Sequence, residues 1–316
     1  IRGVYPLVDG AGREKDWTKG SNFVSKEGKI YKLNLGKIIS RNIDSNELSQ
    51  YFAKRDADSI VRILGNNLKN VSEKVFSAPV DTDTDIKSFV RNELSGQPVI
   101  TGSSLTGAVR SVLFDYLRTT ESREREVFGN SKDGSDFMRF IKFSDAEFDN
   151  TELVNTKIFN LHQDKGDWVG GWKHSGNPEG YTNSSFRPTG CNTIYEAIMP
   201  GEVGLGNIML SEKAFEMLGG AQLNIVKKRG VLDIKTLFRV INNHTKEYLE
   251  KERVFFTAYP VQESTKIVDF IDVMLKKIPA DDSFCILKMS AGSGFHSITG
   301  DWQFSDYTST GFWGGG

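Results

Sequence analysis

The chain has 316 residues, 38% hydrophobic, 26% charged and 11% aromatic, a composition that excludes the disordered and fibrous classes. Its formal net charge of −1 excludes the overall basic field of many free-standing nucleic-acid binders, so any contact with nucleic acid is local. Length predicts about two domains of roughly 150 residues, enough to bury a sizeable core.

Cys191 and Cys285 lie far apart in unrelated contexts, which argues against a disulfide framework or a zinc cluster and fits a reducing, cytoplasmic setting. No run reaches the roughly 18 apolar residues of a membrane span, and IRGVYPLVDG lacks the regions of a signal peptide. The chain begins without Met and stops at GFWGGG, so both true termini are expected to lie beyond it.

In chain order, residues 29–39, KIYKLNLGKII, predict a strand running into a short helix, and 46–70 are polar with helical spacing. The segment FSAPVDTDTDIKSFVRNELSGQPV follows as a long excursion, with acidic turn residues Asp81, Asp83 and Asp85 before a short amphipathic piece at 86–94. After ITGSSLTGAVR at 100–110, Leu105, Val109, Val112, Leu113, Tyr116 and Leu117 recur three or four apart and predict the clearest helix of the chain. Residues 136–148, DFMRFIKFSDAEF, and 151–161, TELVNTKIFNL, are rich in β-branched or aromatic residues and predict strands.

Residues 162–192 are rich in Gly, Asn and Ser and predict a long exposed loop. Residues 194–198 predict a strand, Pro200 and Gly201 a turn, and 203–210 its returning hairpin partner. Helices are expected at 234–252 and 266–277, then a strand FCILKMS that runs into Ala291, Gly292, Ser293, Gly294, Phe295 and His296. Two blocks thus each hold strands, helices and a glycine-containing loop directly after a strand, which predicts two α+β lobes.

In ITGSSLTGAVR, Gly102 permits a sharp turn and Ser103 or Ser104 is placed to cap the first helical turn. Open N–H groups and the positive end of the helix dipole make an anion site there. Arg110, one turn beyond Thr106 and Gly107, either lies beside that anion or packs along the adjoining surface, and Gly107 leaves room for a backbone or ribose. Spacing excludes a Walker P-loop, and GSSLTG is one residue too long for a nucleophile elbow and brings no His partner. A capped helix with nothing bound stays open beside the anion site.

Backbone amides at 291–294 can hold phosphates while Phe295 stacks on a base, although a plain hairpin turn is equally consistent. Asp145 can be a catalytic or metal carboxylate or can cap a turn, and His162 with Asp164 offers acid–base groups without an identified partner. Trp168, Trp172, Lys173 and His174 suit stacking and charge contact with single-stranded nucleic acid, or anchor the loop to the protein or a neighbour. None of the four His stands at metal-ligand spacing from another His or Cys, so no metal or cofactor is expected.

The stretch ITGSSLTGAVRSVLFDYL resembles the PGSSLKGAIR segment of the RAMP proteins of CRISPR effector complexes, keeping Gly102, Ser103, Ser104, Leu105, Gly107 and Arg110. It departs at Thr101, where the family usually has Pro, and at Thr106, where Lys is usual and a cation is lost from the expected RNA face. DIKSFVRNELSGQPV, FMRFIKFSDAEF, IYEAIMPGEVGLGNIML and LKMSAGSGF are similar, in that order, to landmarks of one branch, the end-cap RAMP subunit of type III-A (Csm) complexes.

The resemblance implies an α+β chain of two ferredoxin-like (RRM-like) lobes with long inserted loops, 1–160 carrying GSSLTGAVR and 161–316 carrying the glycine-rich loop. It implies a non-catalytic crRNA-binding subunit that caps the 3′-end side of the effector filament, with crRNA, target RNA near the end of the guide duplex and other RAMP subunits as partners, and no membrane. Gly102, Ser103, Ser104, Thr106, Gly107, Arg110 and residues 291–296 would then hold RNA, with Trp168, Trp172, Lys173 and His174 in an RNA or partner loop. A near-neutral charge is tolerable where many weak contacts add within an assembly. Backbone RAMP subunits look similar and cleave target RNA through a metal-dependent loop Asp, for which Asp81, Asp83 and Asp85 are the candidates. A free-standing nucleotide-binding enzyme using the same loops is a third reading.

Overall fold

The computed structural model describes residues 7–8, 16–41, 45–79, 84–119, 122–156, 159–164, 167–172, 193–217, 224–258 and 264–289. Phe23–Lys26, Lys29–Leu33 and Ser72–Ser77 form an antiparallel sheet in which Lys29–Leu33 is central. Side chains alternate across a strand, so Val24 and Leu33 face one way and Phe23 and Ile30 the other. On the first face, helices Leu35–Ser40, Ser45–Lys54 and Ala57–Leu64 cover the sheet through Ile38, Leu48, Ile60 and Leu64. The second face packs Phe23, Ile30 and Phe76 against Trp17, Ile86, Leu153 and Ile194. The strand-to-helix expectation at 29–39 and the helical spacing at 46–70 are both met.

Ile86, Leu153 and Ile194 belong to a four-stranded sheet built on Thr193–Ile198, with Trp17 bridging to Ile86 beside it. Thr151–Thr156 runs antiparallel along its full length. Leu7–Val8 pairs antiparallel at residues 197–198, and Ile86–Lys87 pairs parallel at 194–195. A strand has two edges, so these two short strands share the one that Thr151–Thr156 leaves open. The sheet draws on both sides of the boundary expected at 160/161, and part of the piece at 86–94 is thus a core strand.

Because both edges of Thr193–Ile198 are taken, 203–210 does not return on it as a hairpin. Instead Ile208–Leu210 pairs antiparallel with Ile141–Phe143. The expected strand at 136–148 is divided accordingly: a 3-10 turn at Phe137–Phe140, strand Ile141–Phe143, then Ala146–Glu147 pairing with Val99–Ile100. The loop expected from 162 is also corrected at its start, since Phe159–Asp164 and Asp167–Trp172 form an antiparallel hairpin. Residues 173–192 lie outside the described residues.

The largest core gathers around one side of helix Gly102–Leu117, the motif helix. Its Val109, Val112, Leu113 and Leu117 meet Phe137, Phe140, Phe215, Val231 and, from the helix Ile234–Ala258, Leu237, Val240 and Ile241. Helix Ser264–Lys277 packs back on the far part of that long helix through Ile271 and Met274 against Tyr248 and Leu249. Residues 284–289 carry no strand, contrary to expectation. Their backbone is held by side chains of the long helix: Asn242 Nδ2 donates to the Phe284 carbonyl at 3.0 Å and accepts from Ile286 N through Oδ1 at 3.0 Å, and Thr245 Oγ1 donates to the Ile286 carbonyl at 2.6 Å. Burial pushes the Cys285 thiol up to about 12. The class is α+β, and no helix among the described residues is long and apolar enough to cross a membrane.

Candidate nucleic-acid interface

The motif helix starts where strand Val99–Ile100 ends, and its cap is Thr101, not either serine. Thr101 Oγ1 accepts from Ser104 N at 3.3 Å and lies 3.0 and 2.9 Å from the Ser103 and Ser104 hydroxyls. Ser103 and Ser104 thus sit in the first turn, both exposed. Gly102 is needed for close approach: a Cβ there would lie 2.1 Å from the Phe143 carbonyl oxygen.

Segment 143–145 lies against the helix start for a second reason. The Gly102 N–H donates to Asp145 Oδ1 at 2.7 Å, so the anion that the helix end attracts is supplied from within the chain. Asp145 is the group that spacing could not assign, and it caps a helix distant in sequence rather than the next turn. Ser144 is tied to the facing segment, its N–H donating to the Asn207 carbonyl at 2.9 Å and its Oγ accepting from Asn207 N at 2.8 Å.

Leu105 faces inward, and Thr106 is half-buried. Leu105 is buried with Ile100, Ala146, Phe148 and Ile198, and the Thr106 hydroxyl donates to the Gly102 carbonyl at 2.7 Å. The opposite side of the helix is small and polar: Ser103, Ser104 and Gly107 are exposed, and nothing stands within 4 Å of where a Gly107 Cβ would be. Arg110 takes the second course that its spacing allowed, packing along the adjoining surface. Its Nε donates to Glu124 Oε1 at 2.7 Å, its Nη1 to both Asp136 oxygens at 3.1 Å, and its guanidinium lies 4.2 Å from the Phe128 ring centre. Burial works against its charge, yet these carboxylates hold the guanidinium above its ordinary pKa.

Sequence reasoning missed the most enclosed charge among the described residues. Glu196, fully buried in Thr193–Ile198, accepts from Phe89 N at 3.0 Å and Thr151 Oγ1 at 2.6 Å and pairs with Arg91. Lys74 Nζ adds a bond to Thr151 Oγ1 at 3.1 Å; burial lowers its pKa and Glu196 opposes that shift. A second set, Lys288, Tyr248 and Glu252, joins the long helix to the last described residues, with Lys288 Nζ donating to Tyr248 Oη and Tyr248 Oη to Glu252 Oε1, each at 2.6 Å.

Of the other expected site residues, Asp85 is exposed just before Ile86–Lys87, while Asp81 and Asp83 lie outside the described residues. Trp168 and Trp172 fall in the hairpin strand, opposite Gln163 and Phe159, and His162 and Asp164 fall in its partner strand. Lys173, His174 and the whole of Ala291, Gly292, Ser293, Gly294, Phe295 and His296 lie outside the described residues. Among the described residues, no group of three or more His, Cys, Asp or Glu could hold a metal ion.

The chain is similar to solved structures over nearly its whole length. The crystal structure of T. onnurineus Csm5 superposes with a TM-score of 0.63 at 15% identity, covering 94% of this chain and 90% of that one. A chain of the cryo-EM structure of the Csm-crRNA-target RNA ternary complex in type III-A CRISPR-Cas system gives 0.62 at 16%, covering 94% and 85%. No curated protein matches the chain. At these identities the likeness speaks for the fold. The model of the RAMP superfamily matches residues 80–267, from before the motif helix to the start of Ser264–Lys277 and more than half of the chain, which therefore belongs to the RAMP superfamily.

Proposed function

We propose that this protein is a non-catalytic crRNA-binding subunit of a type III CRISPR effector complex and caps the 3′-end side of its filament. The observation that carries the reading is fold likeness across 94% of the chain and 90% of Csm5, supported by family membership and by the likeness to a chain of a Csm-crRNA-target RNA complex. Its partners are then crRNA, target RNA near the end of the guide duplex and the other RAMP subunits, in the cytoplasm. The two ferredoxin-like lobes, divided near 160/161, belong to this reading, with Thr193–Ile198 pairing across the division.

On this reading the RNA backbone runs along the exposed side of the motif helix. Hydroxyls of Ser103 and Ser104 donate to phosphate oxygens, and Gly107 lets the backbone come close. Gly102 and Arg110 act by position: Gly102 seats the helix start on 143–144, and Arg110 is held by Glu124 and Asp136. Thr106, bonded back to its own helix, offers its methyl group where a cation is usual. The loop at 291–296 supplies the remaining backbone amides and the stacking ring of Phe295, while Trp168, Trp172, Lys173 and His174 extend the contact to RNA or a neighbour.

The test is to purify the tagged protein from its host and sequence the RNA that accompanies it. Short repeat-derived RNAs together with other RAMP subunits are the expected result. Absence of both overturns the reading. Replacing Asp81, Asp83 and Asp85 together then asks about catalysis, since loss of one cleavage site in the target RNA would convert the subunit into a nuclease.

A further inference from the structure

Two segments outside the RNA-binding reading put large apolar side chains into solvent beside one acidic strand. Leu94, in the turn between Asn92 and Gln97, is 98% exposed, and Leu205 is 85% exposed. Both adjoin Glu147, whose carboxylate accepts from Asn92 Nδ2 and from Ser95 Oγ and whose backbone bridges to Leu205. Exposure here is built in. Gly204 lies flat on the Phe148 ring, where a Cβ would come within 2.5 Å, so Val203 and Leu205 on either side are turned outward. The segment is also tied down, since Asn150 donates to Glu202 through N and Nδ2 at 3.2 and 3.0 Å.

The charge pattern selects the occupant. Glu147 and Asp149 stand on either side of buried Phe148, so two carboxylates share the exposed side of one short stretch, while Asp145 is turned to the Gly102 N–H. The two side-chain donors to Glu147 are an amide and a hydroxyl, which orient its charge without neutralising it. Oriented carboxylates beside apolar side chains repel an RNA backbone and match a protein face that is apolar at its centre and carries Lys or Arg at its rim.

From this geometry we propose that Leu94, Val203 and Leu205 form a docking surface for a neighbouring protein subunit, with Glu147 facing that subunit's basic rim. The inference rests on the effector-subunit reading and adds which face meets protein rather than RNA. The test co-expresses the full set of effector subunits with the tagged wild type, with the double variant Val203→Asp, Leu205→Asp, and separately with Leu94→Asp. Each variant is expected to lower incorporation into the complex at least about tenfold, the loss of a central apolar anchor, while the isolated chain keeps its melting temperature and its binding to a short single-stranded RNA. Leu94, in a separate turn, keeps the test decisive if the double variant misfolds. Glu147→Gln, which retains an acceptor without the charge, is expected to make incorporation less sensitive to salt than in the wild type.

Full incorporation of both carboxylate variants beside an assembling wild type overturns the docking surface alone. Loss of RNA binding by isolated variants with assembly intact also overturns it and makes the face an RNA surface. Wild-type self-association in sedimentation that the variants abolish overturns it in favour of a second copy. A wild type that recovers neither RAMP subunits nor RNA overturns the functional reading and this inference together.

Discussion

Glu196 and Asp145 both receive a backbone N–H from a distant element, yet one is sealed in the fold and the other faces solvent. Inside, a carboxylate must be matched on every side, so Glu196 gathers Phe89 and Arg91 from one segment and Thr151 from another. Outside, one bond is enough, and Asp145 sets the shape of a surface rather than the integrity of a core. The same chemical group is thus a keystone at one place and a positioning device at the other.

Five substitutions at four positions test that contrast, the positions taken in falling order of effect. Glu196→Ala leaves Arg91 without its carboxylate in a half-closed site, and unfolding in urea is expected to show a loss of about 3–5 kcal/mol; a change under about 1 kcal/mol would erase the distinction. Gly102→Ala drives a methyl group into the Phe143 carbonyl and should cost about 1–3 kcal/mol, with melting temperature as the readout. Arg110→Ala removes two carboxylate pairs, discounted for partial exposure, and a cation–π contact. A loss of about 1–2 kcal/mol is expected, together with reduced crRNA retention in the assembled complex because the helix shifts. Arg110→Lys should recover only part of either, since a single ammonium cannot span Glu124 and Asp136 as a guanidinium does. Asp145→Asn keeps an acceptor for Gly102 N and gives up only the charge at the helix end, about 0.3–1 kcal/mol, and under the proposed function RNA affinity of the complex is expected to rise as a negative charge leaves the helix start. Weaker RNA binding by Asp145→Asn at unchanged stability would instead make Asp145 part of the RNA contact.

What could be read ahead of the structure was local. The face of Leu105, Val109, Val112, Leu113 and Leu117 repeats within a few turns, so periodicity located the motif helix, and the same holds for the two late helices. Partners far along the chain left no such trace. Asp145 meets Gly102 across 43 positions and Arg110 meets Asp136 across 26, and nothing in the intervening spacing marks either pair. Glu196 lies in a strand that alternation would turn partly to solvent, but both sides of that strand are covered, which only the assembled sheets reveal. The hairpin expected at 203–210 failed for a related reason: turn residues were present, but no free edge was left on Thr193–Ile198. Thr101 took the cap because it directly precedes the first helical residue, Gly102, two positions ahead of Ser103, a distinction finer than composition carries.

The pairing of Thr193–Ile198 with Leu7–Val8 and Ile86–Lys87 also fixes a timetable. Early strands leave the ribosome well before the strand that joins them, and at about 5–20 residues per second the delay after Ile86 is on the order of ten seconds. During that interval Ile86 and the apolar side of Phe23, Ile30 and Phe76 have Trp17 against them but lack Ile194 in the nascent chain. This chain is therefore expected to engage holding chaperones during synthesis, and slowing translation just before residue 193 should lower its soluble yield, whereas the same pause after residue 210 should not.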